Sequence, residues 1–142
     1  MRYWDSSALV PLIADEPRTG DVRRWLSDEP AVVTWAWTRV EIVSAIERRA
    51  REGRLTRSER RLALDRVAAV ADTWDEVTDI VAVRARALPL LGRHPLRAAD
   101  AAQLAAALLV RDELAAPLTF VCLDERLTTA AEREGLATLP SA

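Results

Sequence analysis

Short apolar and β-branched runs alternate along this chain with longer segments whose apolar residues recur at helical spacing. The pattern predicts strands at residues 2–5, 31–34, 77–78, 118–123 and 136–139, and helices at about 7–15, 19–27, 38–52, from 56 onward, 80–91, 97–114 and 124–134. Pro89 and Gly92 are expected to interrupt or end the helix at 80–91. Such alternation predicts a three-layer α/β/α domain, with helices on both faces of a central, mostly parallel sheet.

A single domain spanning residues 1–142 is predicted, because the sequence shows no repeat, linker or change of composition. Half of the residues are hydrophobic, which is enough for a sizeable core. No stretch approaches the roughly 18 uncharged apolar residues of a membrane-spanning helix, and Asp5 argues against a signal peptide. Cys122 is the single cysteine and cannot form an internal disulfide. We therefore predict a cytoplasmic location and no membrane partner.

Two acids stand at the ends of predicted strands. Asp5 closes the first strand, and Asp124 closes the apolar run that ends at Leu123. The carboxyl ends of parallel strands are where functional groups collect in sheets of this type. An N-cap for the following helix explains each acid equally well when it is considered alone. The sequence leaves both interpretations open.

Two further acids lie among apolar residues within helices. Asp100 shares a helical face with Leu104 and Leu108, where an uncompensated charge is unfavourable. Glu41 is likewise flanked by Val40 and Ile42. If these acids converge with Asp5 and Asp124, their repulsion calls for a bound cation. A set of carboxylates without histidine or thiolate suits Mg²⁺ or Mn²⁺, and such ions hydrolyse phosphodiesters.

The composition weakens one competing enzyme class. Receiver and haloacid-dehalogenase proteins also carry an aspartate after the first strand, but they need a second acid beside it and a late lysine. Here Ser6 and Ser7 follow Asp5, and all twenty basic residues are arginine. The net charge of −2 gives no general basic signature for nucleic acid. The remaining alternative is a related domain that binds RNA or protein without catalysis.

Four segments resemble, in order, the conserved motifs of PIN-domain proteins, and within that family the short VapC-type toxins. They are Asp5-Ser6-Ser7-Ala8-Leu9-Val10, Val40-Glu41-Ile42, Leu96-Arg97-Ala98-Ala99-Asp100-Ala101-Ala102-Gln103-Leu104, and Leu123-Asp124-Glu125-Arg126-Leu127. The resemblance covers essentially the whole chain. It implies an Mg²⁺- or Mn²⁺-dependent endoribonuclease that forms a homodimer and is neutralised by a small VapB-type antitoxin.

The resemblance also implies residue roles. Asp5, Glu41, Asp100 and Asp124 become the catalytic, metal-binding acids, and Ser7 becomes the small hydroxyl residue that supports the first of them. The family often has Thr or Ser two residues before the fourth acid, where this chain has Cys122. A hydrogen bond from this position to the metal site should therefore be weak or absent.

Other residues receive weaker predictions. Arg39, Arg97 and Arg126 flank the acidic motifs and are candidates for phosphate contacts or, alternatively, ordinary solvated residues. The five tryptophans are expected mostly in the core, although Trp35 or Trp37 could stack on an RNA base or line a dimer contact. His94 is expected to have a surface or packing role rather than a catalytic one.

Overall fold

The computed structural model describes residues 1–141, which form five strands and seven helices. The strands are β1 (Arg2–Trp4), β2 (Val33–Trp35), β3 (Asp75–Val77), β4 (Thr119–Val121) and β5 (Ala137–Leu139). The helices are α1 (Ser6–Ile13), α2 (Thr19–Asp28), α3 (Thr38–Arg51), α4 (Arg57–Ala71), α5 (Ile80–Arg93), α6 (Ala98–Glu113) and α7 (Glu125–Arg133). Each element predicted from the sequence is present, with boundaries shifted by a few residues.

The strands form a single parallel sheet in the order β3-β2-β1-β4-β5. The strand order therefore reverses at β1, since the chain first builds outward through β2 and β3 and then returns to the other side. In such sheets the crevice outside the carboxyl ends, at the point of reversal, is the usual binding site. Asp5 follows β1, and its backbone N–H donates to the carbonyl of Val121 in β4 (2.9 Å).

Alternation within each strand creates two hydrophobic layers, one on each face of the sheet. Tyr3 and Phe120 lie in the layer covered by α5, α6 and α7, and their rings stack with centroids 5.6 Å apart. Their neighbours Trp4 and Val121 lie in the opposite layer, which α1 to α4 cover. A strand buried on both faces reads as a continuous apolar run, as seen around β4. The predicted three-layer α/β/α fold with a parallel sheet is confirmed.

The prediction that Pro89 would interrupt the fifth helix was wrong, because α5 continues through this residue and ends at Arg93, one residue beyond Gly92. Proline removes one backbone hydrogen bond and usually bends a helix. Val83 and Leu90, one before and one after the proline, are both buried in the core against α6. Tertiary packing on both sides thus keeps the helix continuous. Within residues 1–141, no helix combines the length and apolarity needed to span a bilayer.

Candidate active site

The four acids identified in the sequence line one open cleft of about 500 Å³. Two of them follow the central strands β1 and β4, and the other two come from the first turns of helices α3 and α6. The cleft therefore forms where the strand order reverses. We call Asp5, Glu41, Asp100 and Asp124 the four acids below.

Three of the four acids both cap the start of a helix and line the cleft. Asp5 is the N-cap of α1 and accepts a hydrogen bond from the N–H of Ser7 (3.0 Å). Asp124 is the N-cap of α7 and accepts from Leu127 N–H (2.8 Å). The sequence could not decide between a capping role and a place in the site, and the structure shows both. One oxygen of each carboxylate makes the cap, and the other has no hydrogen-bond partner among residues 1–141.

Asp100 lies in the first turn of α6, where its Oδ2 accepts from Arg97 N–H (3.3 Å). The carboxylate is half-buried, as its position on the apolar face predicted. Placement at a helix N-terminus stabilises a negative charge by about 0.3–1 kcal/mol, which compensates only part of the cost of burial. Asp100 is thus held in the cleft by backbone geometry rather than by an ion pair.

Both oxygens of Glu41 are held by polar side chains. Ser6 donates from its hydroxyl to Oε2 and Gln103 donates from its amide to Oε1, each at 2.9 Å. Gln103 is completely buried and also connects Thr38 Oγ1 (2.9 Å) with the hydroxyl of Tyr3 (2.8 Å). Gln103 thus links the sheet, α3 and α6 behind the cleft. The sequence prediction did not include Gln103 among the site residues, although an amide on an apolar helical face was a detectable signal.

The electrostatics of the cleft oppose ionisation of its acids. Burial raises the pKa of Asp5, Glu41 and Asp100, in the case of Glu41 to about 7. Their mutual repulsion adds to this, since Asp5 and Asp100 both raise the pKa of Glu41, and Asp124 raises that of Asp100. Hydrogen bonds from Gln103 and Ser6 act in the opposite direction on Glu41 but do not cancel the effect. A bound cation would relieve this repulsion.

Replacing Gln103 by Leu is expected to lower the free energy of unfolding by about 1–3 kcal/mol, because the buried hydroxyl of Tyr3 loses its acceptor. Urea denaturation measures the effect. In a Tyr3→Phe background the same substitution should lower the free energy of unfolding by a smaller amount, since no hydroxyl remains that needs an acceptor. Equal stability of Gln103→Leu and wild type would contradict this account of the network.

The other predicted site residues are placed unevenly around the cleft. Ser7 and Arg97 line it, and the Ser7 hydroxyl also accepts from Leu123 N–H (2.9 Å), tying α1 to the end of β4. Arg126 lies near enough for its charge to lower the pKa of Asp100. Arg39 is exposed on α3 but does not line the cleft.

Cys122 lies beneath the cleft rather than within it. Its buried thiol is 3.6 Å from Asp5 Oδ2 and 3.6 Å from Ser7 Oγ. A thiol is a weak donor, so the first of these contacts is a weak hydrogen bond to the acid. Burial, together with the charge of Asp5, raises the pKa of Cys122, which keeps it in the thiol form.

Two residues outside the motifs differ in their outcome. The tryptophans were expected mostly in the core, with Trp35 or Trp37 as a possible exception near the Glu41 helix; Trp35 is buried, whereas the Trp37 side chain is 57% exposed and lines the cleft. It stands at the N-cap of α3, beyond the end of β2, where no layer covers it. His94 was expected to have a surface or a packing role; it is buried and its Nε2 lies 2.6 Å from Glu134 Oε1, which agrees with the second of these.

The donor chemistry of the cleft fits a hard divalent cation. All four acids offer oxygen, and neither histidine nor thiolate lines the cleft. Oxygen donors of this kind suit Mg²⁺ or Mn²⁺. In the part of the chain that the structure describes, no three His, Cys, Asp or Glu side chains are already arranged as a metal cluster. Binding would therefore require the carboxylates to move toward a shared ion.

Comparison with known proteins places this chain in a family. The family model described as the PIN domain matches residues 2–132, a range that includes all four acids. Ribonuclease VapC47 of Mycobacterium tuberculosis (strain CDC 1551 / Oshkosh) is 31% identical over 145 residues, which cover 97% of this chain and 95% of that protein. The chain belongs to the PIN-domain family.

Solved structures agree with this fold. A toxin-antitoxin complex from Klebsiella pneumoniae superposes with a TM-score of 0.60 at 16% identity, covering 87% of both chains. A structure of FitAB bound to IR36 DNA fragment gives a TM-score of 0.65 at 17% identity, covering 98% of this chain and 94% of the other. At such low identities the likeness concerns the fold alone.

Proposed function

We propose that this protein is a metal-dependent endoribonuclease and acts as the toxin of a toxin–antitoxin pair. The observation that carries the proposal is the convergence of four separate acids on one cleft at the reversal point of the sheet. The similarity to a ribonuclease over almost the whole chain favours RNA as the substrate. Hydrolysis of a phosphodiester is the reaction that suits an all-carboxylate site.

In this proposal the four acids hold Mg²⁺ or Mn²⁺. When bound, such an ion supplies a nucleophile from water and stabilises negative charge on phosphate oxygens. Asp5, Asp100 and Asp124 each engage one oxygen in a backbone hydrogen bond, which keeps the side chain at the cleft while its other oxygen stays available. Glu41 differs, because Ser6 in the cleft and Gln103 behind it orient the side chain through both of its oxygens.

Arginine side chains have a separate role in the proposal. Arg97 lines the cleft, Arg126 lies close to Asp100, and neither guanidinium has a salt-bridge partner within residues 1–141. A guanidinium contacts phosphate through a fixed fork of donors. We assign Arg97 and Arg126 to the RNA backbone, and Arg39 to a more distant contact.

The resemblance to VapC-type toxins extends the proposal to partners. It implies a VapB-type antitoxin that covers the cleft, assembly as a homodimer, and action on RNA in the cytoplasm. The single buried Cys122 agrees with a reducing compartment.

Incubation of purified protein with total bacterial RNA tests the catalytic proposal. We expect discrete cleavage with Mg²⁺ or Mn²⁺ and none with EDTA, as seen on a sequencing gel. Calorimetric titration with Mn²⁺ should show binding by the wild type. If no RNA is cut and no Mn²⁺ binds, the protein is instead a non-catalytic binding module of the same fold.

A further inference from the structure

Trp37 exposes a large apolar side chain beside the acidic cleft. Within residues 1–141 it is the one tryptophan with an exposed side chain, since Trp4, Trp35 and Trp74 are buried and Trp25 is half-buried. Its carbonyl accepts from Glu41 N–H (3.1 Å), so the backbone of this turn is fixed. An exposed indole on a fixed backbone beside the acidic cleft is suited to contact with a flat ligand.

The face of α3 that lines the cleft carries three chemical groups in order. Its lining residues are Trp37, Val40, Glu41, Ser44, Ala45 and Arg48, which recur at intervals of three and four and so share one face. We call this face the wall. An aromatic ring stands at one end of the wall, an acid lies one turn further, and a guanidinium stands at the other end. The wall spans ~16 Å along the helix axis.

An unpaired guanidinium and an exposed aromatic ring at this wall suit a nucleic acid strand. Arg48 makes no side-chain hydrogen bond or salt bridge to any residue from 1 to 141, whereas Arg49 beside it pairs with Glu16. Unpaired guanidinium groups at the cleft match phosphates, and an exposed indole matches a base. Grooves that bind single strands combine these same two features.

We propose that Trp37 stacks on a nucleobase of single-stranded RNA and that Arg48 contacts a phosphate along the same strand. This assignment rests on the proposed ribonuclease function and adds the residues that hold the substrate in register with the acids. Stacking engages any base through its flat face, so Trp37 contributes affinity and position more than sequence selectivity.

Fluorescence anisotropy of a dye-labelled oligoadenylate tests the stacking contact. The protein carries Asp100→Asn so that the RNA stays intact, which a gel verifies. We expect Trp37→Ala to weaken binding by about 5- to 100-fold, as loss of one stacked base does, and Trp37→Phe to weaken it less. Leu62→Ala removes another exposed apolar side chain, on α4 and outside the cleft, and should leave affinity unchanged within about twofold.

An oligomer of abasic ribose phosphates separates stacking from charge. Against this probe Trp37→Ala should have no effect, whereas Arg48→Ala should weaken binding of both probes. In otherwise native protein, Trp37→Ala should raise KM for RNA cleavage and change kcat less.

Three outcomes distinguish this proposal from the one on which it rests. If the native protein neither binds nor cuts RNA, the proposed function itself fails. If it cuts RNA and Trp37→Ala binds oligoadenylate as tightly as the parent, the stacking assignment is wrong. If Trp37→Ala instead changes only the molar mass in light scattering, Trp37 belongs to a contact between protein chains, and the assignment is also overturned.

Discussion

Replacement of Asp100 by Asn is expected to lower metal-dependent RNA cleavage by about 10²–10³-fold while the protein remains folded. The amide oxygen of Asn can still accept from Arg97 N–H, so the first turn of α6 keeps its hydrogen bond. The substitution removes the negative charge that would hold the cation, and it leaves the volume of the side chain almost unchanged. Initial rates at saturating Mn²⁺ and thermal denaturation measure the two parts of this prediction.

The same helix supplies a matched control. Asp112 lies near the other end of α6, where it pairs with Arg86 and Arg111 far from the acids. Asp112→Asn makes the identical chemical change and should leave the cleavage rate within about twofold. Retention of more than about a tenth of wild-type activity by Asp100→Asn, or an equal loss in Asp112→Asn, would argue against a catalytic role for Asp100.

Replacement of Glu41 by Gln is expected to stabilise the metal-free protein near neutral and alkaline pH while abolishing cleavage. The folded-state pKa of Glu41 is about 7, above its ordinary value of 4.5, because the residue is buried among other acids. The folded protein therefore binds this proton more tightly than the unfolded chain does. The free energy of unfolding should rise as the pH falls through 7, and this contribution should level off below about 4.5.

Glutamine carries no charge, and its amide oxygen can still accept from Gln103. Its amide nitrogen would donate to the Ser6 hydroxyl, so the second hydrogen bond is kept with its direction reversed. The full pKa difference corresponds to about 3 kcal/mol, and screening by water in the open cleft reduces this to about 1–2 kcal/mol near pH 8. Urea denaturation in EDTA at several pH values measures the difference between the two proteins. The gain should shrink toward zero near pH 4.5, and a gain independent of pH would contradict ionisation as its cause.

A metal titration adds an independent check of the Glu41 prediction. If the four acids hold the cation as proposed, Mn²⁺ should raise the melting temperature of the wild type at alkaline pH, because a ligand of the folded state stabilises it and favours the ionised acid. The melting temperature of the Glu41→Gln variant should rise less on addition of Mn²⁺. Equal responses would exclude Glu41 from the cation site without affecting the pH argument.

Local patterns in the sequence predicted the elements and drew attention to the acids, and the resemblance to a family grouped the four acids as one site. Strand and helix periods differ, so the alternation of β and α segments was visible, and a parallel sheet followed from the apolar run before Asp124. Asp100 was detectable because a charge on an apolar helical face requires compensation. The continuity of α5 through Pro89 was not detectable in the sequence, since it depends on burial of Val83 and Leu90 in the assembled core.

The tertiary structure alone decided which residues surround those acids. Gln103 lies 62 positions from Glu41, and its role behind the carboxylate depends on α6 packing beside α3. Trp35 and Trp37 are both tryptophans near β2, but Trp35 lies within the sheet and is buried. Trp37 lies beyond the end of the strand and is exposed. The sequence determined local preferences, which act over one or two helical turns. Contacts between distant segments depend on strand order and on the packing of layers, and no local pattern encodes these.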